Sequence, residues 1–192
     1  MSIVRRGLPL ALLVATAAAA GCGGSGRPAT TTPRAATPKP NLGIDPHVLP
    51  PKSIPTHPTG AADPDAVRVI REWARDVRLG DFRAAAKRFA LPARFQNGTP
   101  VLTLHDRADV LAVTAGFTCG AVVTRVGSAG YWTLVRFRLT TRVGGDCGGA
   151  EGNTTGGAIR VVDGHIRAWY RLYDPEEILP PTGGAAPGDI KA

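Results

Sequence analysis

The sequence predicts an α+β domain in which N-terminal helices precede a four-strand antiparallel meander. Two observations carry this expectation. Between Asp63 and Phe117 the apolar residues fall at helical spacing behind capping acids, whereas from Cys119 the period drops to two and β-branched and aromatic residues dominate. Helices first and strands afterwards is the α+β order. The folded part takes about 120 residues of the chain, enough for one hydrophobic core.

The first helix opens at Asp63-Pro64-Asp65, a capping acid followed by proline in the first turn. Ala66, Ile70, Trp73 and Val77 form its buried stripe, while Arg68, Arg71, Glu72, Arg75, Asp76 and Arg78 occupy the other face. Glu72 has Arg68 and Arg75 within pairing reach, so these acids read as a solvated helix surface rather than a catalytic pair. Gly80-Asp81 ends this helix. Asp81 caps a second one to about Ala90, with Phe82, Ala85 and Phe89 turned inward and Pro92 as the stop. Residues 94–104 read as extended with a turn at Asn97-Gly98. Asp106 and Asp109 stand at the cap and third position of a short third helix to about Phe117.

Residues 120–127 and 131–142 form a hairpin around Ser128-Ala129-Gly130, and 157–163 and 165–173 a second around Asp163-Gly164. Alternation places Val135, Phe137 and Leu139 on one face and Arg136 and Arg138 on the other. Arg160 opposes Ile159 and Val161, and Arg167 and Arg171 alternate with Ala168, Tyr170 and Leu172. With Arg125 added, one face is expected to be apolar and the other rich in arginine. Such a face is either simply solvated or meets an anionic partner: lipid headgroups, a wall polymer bearing phosphate or uronate, or an acidic protein. Tyr131, Trp132, Trp169 and Tyr170 are candidates for the rim of a pocket, or for ordinary packing.

The ends of the chain are of another kind. Arg5 and Arg6 precede an apolar run from Leu8 to Ala20, which is too short for the ~20 residues of a spanning helix. Ala19-Ala20-Gly21-Cys22 closes it, and the whole resembles the signal of a bacterial lipoprotein precursor. That resemblance implies removal of residues 1–21, acyl chains (palmitate among them) on Cys22, and a lipid-anchored protein on the extracytoplasmic face of the membrane of a high-GC Gram-positive bacterium. Two or more chains make a stable anchor. Formal charge is +8 for the full chain. Residues 22–62 form a Pro/Thr/Gly-rich tether, reaching at most about 120 Å if fully extended, and residues 180–192 a Pro/Gly-rich tail. Nucleic acid is not expected as a partner outside the membrane. Export favours oxidation, so Cys119 and Cys147, at the same end of the first hairpin, are expected to pair. Two buried thiols or a reactive pair are the alternatives, although no C-x-x-C pattern marks the latter.

Over about 62–175 the chain resembles the nuclear-transport-factor-2-like superfamily. The resemblance rests on Trp73, Gly80-Asp81 and Phe89, the long strands, and Asp163-Gly164-His165-Ile166 followed by Trp169 and Tyr170. It implies a cone-shaped, curved antiparallel sheet wrapped around the N-terminal helices across residues 63–179. The superfamily includes ketosteroid isomerases, polyketide cyclases and many non-enzymatic modules, so the fold does not choose a function. Enzymes of that kind place an acid on the inner wall of the cone. Here every acid of the folded part is expected at a cap, in a turn or loop, or on the polar side of a helix.

The remaining motifs exclude several chemistries. The glycine-rich run Gly144–Gly149 lacks a following Gly-Lys-Ser/Thr and is not a phosphate loop. His105 and His165 stand apart from other ligating residues, so neither a metal nor a cofactor is expected. The expected function is a non-catalytic binding or scaffold module of the cell envelope, with a homodimer through the open sheet face as one structural role. The alternative is a small-molecule isomerase- or cyclase-like enzyme with its pocket inside the cone.

Overall fold

The computed structural model describes Leu42, residues 54–98 and residues 100–173. The expected signal, Cys22, most of the tether and the C-terminal tail lie outside the described residues.

Helix α1 spans Pro64–Arg78, with the Asp63 carboxylate accepting from the Asp65 amide at 3.0 Å. Its stripe of Val69, Ile70, Trp73, Ala74 and Val77 is buried against the sheet. Glu72 pairs with Arg68 at 3.5 Å and, instead of Arg75, with Arg88 at 2.6 Å. Asp76, expected on the polar side, is buried and accepts from Arg88 Nε at 3.2 Å. Helix α2 is shorter than its apolar spacing predicts, covering only Phe82–Lys87 behind the Asp81 cap. Pro92 does not stop it. The carbonyl of Arg88 instead accepts from the Ile166 amide at 2.8 Å, which draws the chain into the sheet one residue before Phe89. Phe89, fully buried, opens strand β1 (Phe89–Gln96), and Pro92 lies within it after a cis peptide bond.

Strand β2 (Leu102–Leu104) follows, then α3 (Arg107–Ala115), capped by Asp106 accepting from the Asp109 amide at 2.9 Å. The meander is β3 (Gly120–Ala129), β4 (Trp132–Thr140), β5 (Thr154–Val162) and β6 (His165–Leu172). The strand order is β2-β1-β6-β5-β4-β3, a single curved, unclosed sheet of α+β class. All ladders are antiparallel except β1–β6, which is parallel. The expectation of a wholly antiparallel sheet is corrected there: side-chain alternation reports which face a residue occupies and is silent about strand direction. Register shifts at Val123/Arg125 and Arg160/Val161 bend the long strands. The second hairpin turns on Asp163 (φ 49°) and Gly164 (φ 70°), as its sequence predicts. Gly120 lets β3 begin against the end of α1, since a Cβ there would lie 3.0 Å from the Arg78 backbone.

Two apolar clusters result. The larger lies between α1–α3 and the inner face of the sheet, around Trp73, Phe89, Phe95, Phe137, Ile159 and Trp169. The smaller is on the outer face: Trp132, Leu134, Ala158, Tyr170 and Leu172, with Ile54 packed against it. The outer face is therefore not simply an arginine surface. Its centre is apolar and its arginines lie around that centre.

Candidate functional site

A cavity of about 260 Å³ opens between α1 and the inner face of the sheet. Its floor and walls are aromatic. Trp169 on β6 lines it and is backed by its cross-strand neighbour Phe95 on β1, the two rings stacking at 5.1 Å with 20° between their planes. Trp73 reaches down from α1 and meets Trp169 at 6.0 Å, Phe117 edge-on at 5.9 Å and Phe137 at 6.4 Å. Such edge and offset contacts hold the rings in fixed orientations. Leu139 and Ala121 continue the wall along β4 and β3, and Ala150 contributes from the loop beyond β4.

The polar side of the cavity is formed by Asn97, Thr118, Thr155 and Arg171. Arg171 was expected among the outer arginines. It lies on the inner face instead, because the register shift between Arg160 and Val161 leaves Trp169 and Arg171 together on the cavity side, while Ala168, Tyr170 and Leu172 belong to the outer cluster. Its cross-strand partner is Gly157, which carries no side chain to fill the space. Arg171 Nη1 donates to Asn97 Oδ1 at 3.3 Å, and the guanidinium lies 5.8 Å from the ring centroid of Tyr173. Arg171 Nε, Trp73 Nε1 and Trp169 Nε1 are buried donors without a hydrogen-bond partner among the described residues.

Among the described residues lining this cavity, none is Asp, Glu or His. The buried acids serve other purposes. Asp109, expected merely at a helix start, is fully buried and accepts from the His105 amide at 2.8 Å. Asp76 belongs to the ion-pair group with Arg88 and Glu72.

Cys119 and Cys147 form a disulfide across 28 residues, with Cα atoms 4.6 Å apart. Cys119 lines the cavity mouth, so the bond ties the loop from Thr141 to Asn153 to its edge. The same loop is held by Arg142 Nε donating to the Phe117 carbonyl at 2.7 Å and by the Val143 amide donating to the Arg78 carbonyl at 2.9 Å.

The outer face carries a second, more open groove of about 550 Å³. Arg94, Arg160 and Arg167 surround Tyr131, Trp132 and Tyr170, with the Arg160 guanidinium 4.9 Å from the Tyr131 ring centroid. The four aromatics expected at one rim are thus divided between two faces: Trp169 belongs to the inner wall and the other three to this groove. Arg125 and Arg136 are cross-strand partners on the outer side, where Arg138 is exposed and Arg136 is buried. Arg94 and Asn97 were missed from the sequence. Arg94 has a signal in hindsight, since it alternates with the buried Ala93 and Phe95. Burial raises the Tyr170 phenol above its ordinary value of 10.0, with Arg94 opposing that rise.

Among the described residues no group of His, Cys, Asp and Glu is placed to hold a metal, and no helix is long and apolar enough to cross a membrane. Neither a family profile nor a curated protein matches the chain. Solved structures do. An NTF2-like protein of unknown function from Cytophaga hutchinsonii is 14% identical, with a TM-score of 0.44 over 56% of this chain and 88% of its own. An LEH-like epoxide hydrolase of M. tuberculosis is 16% identical, with a TM-score of 0.43 over 59% and 86%. A de novo designed protein with a curved β-sheet is 18% identical, with a TM-score of 0.46 over 60% and 89%. Similarity at this level has no bearing on activity.

Proposed function

We propose that this chain is a lipid-anchored, extracytoplasmic binding module of a bacterial envelope, with the inner cavity as its ligand site. The observation that carries the reading is the composition of the cavity. Aromatic walls and a few polar groups suit retention of a small molecule, while the described lining residues offer no carboxylate or imidazole to move a proton. The address rests on Gly21-Cys22 after the short apolar run, and the Cys119–Cys147 bond suits an oxidising compartment. The outer groove of Arg94, Arg160 and Arg167 is the proposed contact for an anionic wall polymer.

Tryptophan emission reports the site directly, because Trp73 and Trp169 line it. Titrating the full mature protein with a neutral bicyclic probe such as 2-naphthamide is expected to give saturable quenching. An Ala121→Phe substitution, which fills the cavity, should abolish that quenching. The probe should be recovered unchanged; recovery of chemically altered ligands from a wider panel would favour the isomerase- or cyclase-like alternative. For the address, a Cys22→Ala variant that still fractionates with membranes would defeat the anchor.

A further inference from the structure

Resting on the cavity as the ligand site, we infer that its ligand class is a small, flat, apolar acid whose carboxylate is received by Arg171. The argument starts from charge. Arg171 is only partly exposed and stands among Trp73, Phe137 and Trp169 at the cavity wall. Arginine stays protonated under all ordinary conditions. A cation moved toward an apolar wall loses hydration, and proteins normally offset that loss with a carboxylate. The ion pairs among the described residues join Asp65, Glu72 and Asp76 to Arg68 and Arg88, and none of them reaches Arg171. Its named partners are one neutral amide oxygen and one aromatic ring. Those contacts orient the guanidinium, and no acid among the described residues neutralises it.

Hydrogen-bonding capacity points the same way. The polar side of the cavity carries donors in the Arg171 guanidinium and the Asn97 amide. Arg171 Nε and both indole nitrogens are buried out of reach of a ligand, so the Arg171 Nη groups are left to receive its head. The fixed acceptor on this side, Asn97 Oδ1, is already engaged by Arg171 Nη1. Thr118 and Thr155 hydroxyls can serve in either sense. A ligand head must therefore bring acceptors, and a carboxylate matches the planar guanidinium fork better than a hydroxyl or an amine does. The body of the ligand is set by the aromatic walls and by volume. About 260 Å³ lies just below the ordinary range of small-molecule pockets, about 300–1,000 Å³, which selects one or two fused rings over a long chain.

The test compares two probes of nearly equal shape, 2-naphthoate and 2-naphthamide, on the full mature protein by tryptophan quenching. Naphthoate is expected to bind about tenfold to a hundredfold more tightly, the range that a charge-assisted hydrogen bond supplies. Arg171→Gln should abolish the preference, so that the variant binds naphthoate and naphthamide about equally. Circular dichroism on that variant guards against misfolding, and the preference of the unaltered protein needs no variant at all. Equal binding of acid and amide by the unaltered protein would overturn the inference while leaving the cavity as a ligand site. Absence of binding by either probe would overturn both.

Discussion

Tyr170 and Arg171 are adjacent in sequence and answer to different surroundings. Tyr170 lies on the outer face, where burial holds its phenol neutral beyond the usual range. The folded state then keeps a proton that the unfolded chain releases above pH 10.0, so the contribution of Tyr170 to stability is complete below that pH and is lost as pH rises through its folded value. Thermal melts between pH 8 and 11 should show a decline that is shallower in Tyr170→Phe. An unchanged slope in that variant would mean that another group governs the alkaline limb. Residue-level reading of the sequence was sound for the caps at Asp63, Asp81 and Asp106, because each depends on atoms within three positions. It failed for Arg171 and Asp109. The face of Arg171 depends on a register shift several residues earlier in the ladder, and burial of Asp109 depends on the packing of α3 beside β2, neither of which is written locally.

At the level of elements, the meander was legible because two hairpins with short turns fix both pairing and register. The start of β1 was not. Phe89 suits a helix or a strand equally, and the decision was made by pairing with β6, the last of the described strands. The loop from Thr141 to Asn153 is the element most dependent on a covalent tie. In the chain-entropy description, a bond across 28 residues removes about 3–4 kcal/mol worth of unfolded-state freedom. Replacing Cys119 and Cys147 together by serine should therefore lower the unfolding free energy by about that amount in urea titrations. It should also weaken binding in the cavity, because Cys119 and Ala150 stand on its edge. A loss below about 1 kcal/mol would assign the loop to its hydrogen bonds with Phe117 and Arg78 instead, each worth about that much.

Over the whole molecule, one sheet serves two chemically distinct surfaces. Strand period two sends Trp169 and Arg171 inward to an aromatic cavity, and Ala168 and Tyr170 outward to a more open basic groove. The described ion pairs cluster at α1 and Arg88, leaving the groove arginines without an acid among its lining residues. An open cationic surface with the exposed Tyr131 ring beside its charges suits an extended polyanion made of sugar units: Tyr131 offers a ring face to a sugar while the arginines meet uronate or phosphate. On a lipid anchor, such contact would hold the cavity at a fixed position between membrane and wall, within the reach of the tether. Polygalacturonate is a suitable probe. Retention on it at low ionic strength should fall steeply as salt is raised, since exposed charges are screened within about 8–10 Å at physiological salt. Replacing both Arg94 and Arg160 by glutamate should abolish retention, whereas Arg171→Gln should leave it intact. If the Arg171 variant loses retention as well, the two faces do not act separately, and the division of labour drawn from strand alternation is wrong.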